Sequence, residues 1–79
     1  MTYKIILVYD DRLVLVDNSD KNRFAKGYFA DKDMNIIYPE ILVATAIKFN
    51  PYCNEPDKAL ASKSFIKEGD KFVDITYNL

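Results

Sequence analysis

The N-terminal part of the chain contains two apolar runs separated by an acidic pair. The first run spans Tyr3–Tyr9 and the second spans residues 13–16, and both are rich in β-branched or aromatic residues. Asp10 and Asp11 lie between them, which predicts a β-hairpin. Nearly every position in both runs is apolar, rather than every second one. This indicates strands that are covered on both faces, by helices or by another subunit.

The pattern of residues 23–30 fits two structures. Phe24 and Tyr28 are four residues apart, as on one face of a helix, but they also fit the period of two that is typical of a strand. Gly27 favours the strand. A polar stretch at 31–35, followed by a short apolar run, then predicts a turn and a second hairpin.

Two later segments are predicted to be helical. The first covers 39–49: it starts at Pro39, followed by an acidic residue that suits a helix N-terminus, and it stops at an Asn-Pro pair. Its β-branched content also allows a central strand. In the second, Asn54 and Asp57 are predicted to form a capping arrangement for a helix that runs to about Lys67 and ends at Gly69.

The last apolar run, 72–77, alternates and predicts a C-terminal strand. The elements together predict one small α+β domain over residues 1–79. We expect a mostly antiparallel sheet of three to five strands, including the N-terminal hairpin and the C-terminal strand, packed by one or two helices.

Composition indicates a folded chain without a strong electric field. The hydrophobic fraction is 49% and the net charge is -1, so neither phosphate binding through a basic excess nor mimicry of DNA is favoured. Cys53 is the only cysteine, which favours a reducing, cytoplasmic location. The N-terminal apolar run is too short for a membrane span. Abundant Lys, Asn, Ile, Tyr and Asp are compatible with an AT-rich gene of phage or mobile-element type, acting in the host cytoplasm.

The sequence offers little for catalysis or cofactor binding. There is no histidine, so the commonest general base and zinc ligand is missing. Asp31, Asp33 and Asn35 match the first half of a calcium loop, but Ile36 and Leu42 replace the glycine and glutamate that such a loop needs. A polar turn explains the same residues. We therefore predict no cofactor, no metal site and no enzymatic activity.

One stretch, residues 21–29, interleaves three cations with three aromatic residues. Mixtures of this kind suit protein hot spots and nucleobase stacking, although a half-buried strand with lysines on its solvent-facing side is the simpler explanation of the same residues. Six tyrosines also exceed what a small core hides easily. The candidate contact residues are Arg23, Phe24, Lys26, Tyr28, Phe29, Tyr38 and Tyr52.

The expected function is a small non-enzymatic protein-interaction module, a regulator or inhibitor that binds and occludes a larger protein. This expectation rests on missing catalytic groups, near-neutral charge and surplus aromatic residues. One alternative is a nucleic-acid-binding module that uses Lys21, Arg23 and Lys26 with Phe24 and Tyr28. Another is a structural homo-oligomer.

Overall fold

The computed structural model describes residues 1–9, 11–18, 27–41 and 54–78. These residues form strands, a four-residue helix and a short 3-10 segment. In chain order the elements are β1 Tyr3–Tyr9, β2 Arg12–Asp17, β3 Gly27–Asp31, β4 Ile36–Ile41, α1 Lys58–Ala61, β5 Phe65–Glu68 and β6 Lys71–Asp74, followed by the 3-10 segment Thr76–Asn78.

All six of these strands belong to one antiparallel sheet with the spatial order β4-β3-β2-β1-β5-β6. The sheet curls into a half-barrel, and its two ends meet. Ile36 N–H donates to the Asp70 carbonyl at 2.7 Å, and Phe72 N–H donates to the Met34 carbonyl at 2.9 Å. Because these bonds join β6 to the start of β4, they close the apolar interior on that side.

The central strand β2 is buried on both faces. Neighbouring residues of a strand point to opposite sides, and Val14, Leu15 and Val16 are all at most 1% exposed. The interpretation of the non-alternating run as a strand covered on both faces is therefore confirmed for β2. Leu15 belongs to the interior cluster Ile5, Leu15, Ala30, Phe65 and Phe72, while its neighbours belong to the outer cluster Leu7, Val14, Val16 and Phe29.

A β-bulge in β1 distributes its apolar residues between these two clusters. Ile5 pairs with Leu15, but Leu7 pairs with Val14, so Ile6 is an extra residue in the strand. Ile6 and Leu7 consequently both contact the outer cluster, and the residues on either side of them pack against the interior one. The predicted N-terminal hairpin is confirmed, and the bulge accounts for its unbroken apolar run.

The second predicted hairpin, β3–β4, is also confirmed, and its turn is built around Asp31. The Oδ1 atom of Asp31 accepts hydrogen bonds from the backbone N–H groups of Asp33 and Asn35, each at 2.9 Å. Met34 follows with a φ of 68°, a left-handed conformation that costs free energy for a residue with a Cβ. Its side chain packs against the interior cluster and its carbonyl binds Phe72, which offsets that cost.

The prediction of an α+β domain with three to five strands packed by one or two helices is wrong, because the described residues form a six-stranded antiparallel sheet with one short helix. The helix predicted to start at Pro39 is wrong at its beginning, since β4 extends through Pro39 to Ile41. The remainder of that prediction, 42–49, lies outside the described residues. An edge strand tolerates Pro39 because it does not need every N–H group for a neighbour.

The second predicted helix is much shorter than expected. Asp57 is its N-cap and accepts a hydrogen bond from Leu60 N–H at 2.8 Å, whereas Asn54 pairs with Val8 of β1 and is not part of the cap. The helix α1 ends at Ala61. The chain then enters β5, where Phe65 pairs with Tyr3 of β1 and is buried in the interior. The predicted C-terminal strand 72–77 exists only as far as Asp74.

Candidate functional site

The exposed part of β4 carries two large apolar side chains. Ile37 is 41% exposed and Tyr38 is 46% exposed. Ala30 pairs with Ile36 and Phe29 pairs with Tyr38, so Ile37 is an extra residue that interrupts the alternation of the strand. The bulge therefore leaves two consecutive apolar side chains open to solvent.

Neighbouring side chains hold the Tyr38 ring in place. Phe29, which is 3% exposed, meets it edge-on with ring centroids 6.1 Å apart and planes at 80°. The guanidinium carbon of Arg12 lies 5.8 Å from the centre of the same ring, within the range of a cation–π interaction. Arg12, Ile37 and Tyr38 are called the β4 patch below. The patch is apolar and aromatic with one adjacent cation, and its tyrosine has fixed neighbours.

The structure brings together two of the seven predicted contact residues, Phe29 and Tyr38. Phe29 is buried and packs against the Tyr38 ring, so it does not itself offer contact area to a partner. Tyr28 is next to Phe29 in β3 and therefore points to the opposite face of the sheet. The other four predicted contact residues, Arg23, Phe24, Lys26 and Tyr52, lie outside the described residues.

Tyr28 belongs to an aromatic group at the interior face. Its ring centroid is 5.7 Å from that of Tyr3 and 5.8 Å from that of Phe72, both edge-on. Lys67 Nζ lies 5.7 Å from the centre of the same ring. With these three neighbours the half-buried ring stabilises the junction of β3 with the β5–β6 hairpin and is not a free platform for a nucleobase.

Sequence reasoning missed two members of the β4 patch, Arg12 and Ile37. Ile37 lies in the apolar triplet 36–38, and regular strand alternation would place Ile37 and Tyr38 on opposite faces of the sheet. The bulge at Ile37 exposes both side chains. No residue type in this triplet indicates a bulge. Arg12 of β2 reaches Tyr38 of β4 across β3, and a contact between two strands that do not pair depends on the order of strands in the sheet. In the sequence, Arg12 is distinguished only by its position directly after the acidic turn, where the second strand of the hairpin begins.

The described carboxylates with shifted pKa values are engaged in turns. Hydrogen bonding, chiefly from Asn35 N–H, lowers the pKa of Asp31. The Thr76 hydroxyl and backbone N–H lower the pKa of Asp74, which also accepts from Lys63 Nζ at 3.2 Å. Both groups are thus held ionised in structural roles. The described ranges also contain no group of three metal-binding side chains.

Comparison with family models, with curated proteins and with solved structures finds no match to this chain. Within the described residues, no helix has the length and apolar character that crossing a membrane requires.

Proposed function

We propose that this chain is a small non-enzymatic protein-interaction module, a regulator or inhibitor that occludes a surface of a larger protein through the β4 patch. The observation that carries the proposal is the exposure of Ile37 and Tyr38 side by side, with Arg12 beside the ring. Tyrosine and arginine are enriched among the residues that dominate interface energies. A ring already held by neighbours also loses little conformational freedom on binding.

The contact is expected to use side chains and not strand addition. β4 is a terminal strand of the sheet, where an unpaired edge could recruit another strand. However, Pro39 supplies no N–H group, and the register is irregular on both sides of the Phe29–Tyr38 pair. These features oppose edge-to-edge pairing. They argue equally against a homo-oligomer built by joining two β4 strands.

A non-catalytic role agrees with the chemistry of the chain. The sequence contains no histidine, and the carboxylates of Asp31 and Asp74 accept hydrogen bonds within their own turns. A general acid or base needs a pKa near the working pH, whereas the pKa values of both groups are lowered.

The test is affinity capture from a lysate of the native host, followed by titration with the captured protein after its purification. Three forms are compared: the wild type, Tyr38→Ala and Tyr77→Ala. Tyr77 is 94% exposed and lies outside the β4 patch, so it is a matched control for loss of a surface tyrosine. We expect Tyr38→Ala to weaken binding by about thirtyfold or more, as for an interface hot spot, and Tyr77→Ala to bind like the wild type.

Equal capture by all three forms would remove the β4 patch from the contact. A partner that is lost with both tyrosine variants would indicate nonspecific adsorption to exposed aromatic rings. Circular dichroism of each variant establishes that it is folded before binding is compared.

A further inference from the structure

Met34 lies where the two ends of the curled sheet meet. Its carbonyl accepts the hydrogen bond from Phe72 N–H of β6, and two residues later Ile36 N–H donates to a carbonyl of the turn before β6. Asn35, between them, forms an antiparallel bridge with Lys71. These contacts of residues 34–36 with residues 70–72 are called the β4–β6 junction below. Within the described residues, two backbone hydrogen bonds hold it together.

The Met34 side chain helps to hold an unfavourable backbone conformation in place. Met34 has a φ of 68°, in the left-handed region that residues with a Cβ seldom adopt. Its half-buried side chain packs against the interior cluster, where a flexible thioether fills space as an apolar group. Loss of this packing would remove one of the interactions that offset the cost of the conformation, and it would do so at the β4–β6 junction itself.

The interior that Met34 contacts has no buried partner for a polar atom. The buried side chains of the described residues are all apolar. Those of the interior cluster are Ile5, Leu15, Ala30, Phe65 and Phe72. An oxygen placed among them would lose its hydration without gaining a hydrogen bond, which costs free energy. The packing of Met34 therefore depends on its sulfur remaining apolar.

We propose that Met34 is a modification site, a methionine whose oxidation by a peroxide opens the β4–β6 junction. Because the side chain is half-buried and not fully enclosed, a small oxidant such as hydrogen peroxide reaches the sulfur. An S–O bond forms and the O–O bond breaks: the thioether loses two electrons and becomes the sulfoxide, while the peroxide is reduced to water. The polar sulfoxide leaves the interior, and the hydrogen bonds of the junction open. Sulfoxide reductases reverse the change, so the site acts as a redox switch.

The chain suits a direct test because it contains two methionines, Met1 and Met34. Wild type and Met34→Leu are treated with hydrogen peroxide, and mass spectrometry of proteolytic peptides identifies the oxidised residues. Leucine keeps an apolar side chain of similar volume. The variant also retains Cys53 and Met1, which is 82% exposed, so it reports the effect of oxidation elsewhere.

The first readout is the urea midpoint of each protein before and after treatment. We expect that of the wild type to fall by about 1 M when Met34 is oxidised, and that of Met34→Leu to stay at its own untreated value. Methionine sulfoxide reductases that act on both epimers should restore the wild-type midpoint. This repair gives a second comparison in the wild type itself, which holds even if Met34→Leu folds poorly.

Amide hydrogen exchange locates the effect in the structure. Ile36 and Phe72 donate the two hydrogen bonds of the β4–β6 junction, whereas Val8 N–H donates to the Asn54 carbonyl at 2.8 Å and takes no part in it. Oxidation should accelerate exchange at Ile36 and Phe72 by about tenfold or more, because a local opening exposes only the amides that it releases. Exchange at Val8 should change much less.

Four outcomes would overturn the proposal. Met1 could be oxidised by the peroxide while Met34 is not, or the oxidised wild type could keep its urea midpoint. Met34→Leu could lose as much stability on treatment as the wild type does. Equal acceleration at Ile36, Phe72 and Val8 would show a general loss of stability and no opening of the β4–β6 junction. None of these outcomes bears on binding through the β4 patch.

Discussion

The strands β2 and β4 contain similar apolar residues but use them in opposite ways. β2 lies in the middle of the sheet, where Val14, Leu15 and Val16 are buried on both of its faces. β4 lies at the end of the sheet, and a bulge turns Ile37 and Tyr38 out to solvent. Position in the sheet, more than hydrophobicity, thus decides whether a side chain stabilises the fold or is free for recognition.

The largest expected effect is on the free energy of unfolding, which should fall much more for a substitution in β2 than for one in β4. Leu15→Ala removes a side chain that is 0% exposed from the interior cluster, and a substitution of this kind costs about 3 kcal/mol through lost burial and the cavity left behind. Ile37→Ala, at the 41% exposed position of β4, should cost less than about 1 kcal/mol. The free energies of unfolding come from urea denaturation followed by circular dichroism.

Similar losses for these two substitutions would contradict the contrast between the strands. Such a result would mean that the Ile37 side chain is packed in solution and that the β4 patch is not an open surface.

A smaller effect is expected at the turn that leads into β4. Asp31→Ala removes the acceptor of the Asp33 and Asn35 N–H bonds, so it should lower the urea midpoint by less than Leu15→Ala does. Asp33→Ala is the matched control, because its backbone N–H is kept while its exposed carboxylate is removed. If the Asp33 variant is equally destabilised, the loss is due to charge and not to the hydrogen bonds of the turn.

The smallest expected effect is a loss of stability at acid pH. Hydrogen bonds lower the pKa of Asp31 and of Asp74 in the folded protein, compared with about 3.9 in an unfolded chain. Their stabilisation is therefore complete above that value and is lost as the pH falls through the lower folded-state pKa values. Urea midpoints measured between neutral pH and about pH 2 should decline at the acid end. They should decline less in Asp31→Asn and Asp74→Asn, and a parallel decline in all three proteins would contradict the assignment.

Local pattern was sufficient to predict the β1–β2 and β3–β4 hairpins. In both, β-branched or aromatic residues surround a turn rich in aspartate, and the pairing is between neighbours in sequence. The pairing of Phe65 with Tyr3 joins residues far apart in the chain, and no local pattern encodes it. That contact, together with burial of Phe65 in the interior, overrides the helical spacing of the segment that follows Asp57.

Gly69 illustrates why the second helix was predicted too long. It has a φ of 61° and lies in the two-residue turn between Glu68 and Lys71, which pair in the β5–β6 hairpin. A glycine with positive φ ends many helices and also forms many hairpin turns. The residue thus correctly indicated a reversal of the chain, but not which kind of element preceded it. The β4 patch was found in part, because Tyr38 was predicted and the bulge beside it was not.

The junction of β6 with the start of β4 also has a consequence for the order of events during translation. Phe72, which is 1% exposed and bonded to the Met34 carbonyl, is synthesised after β1 to β5. A nascent chain can assemble β1 to β4 as they leave the ribosome, because their pairings are sequential. Until β6 follows, Leu15 and its interior neighbours lack their final cover, so premature termination before Phe72 would yield a fragment suited to chaperone capture and degradation.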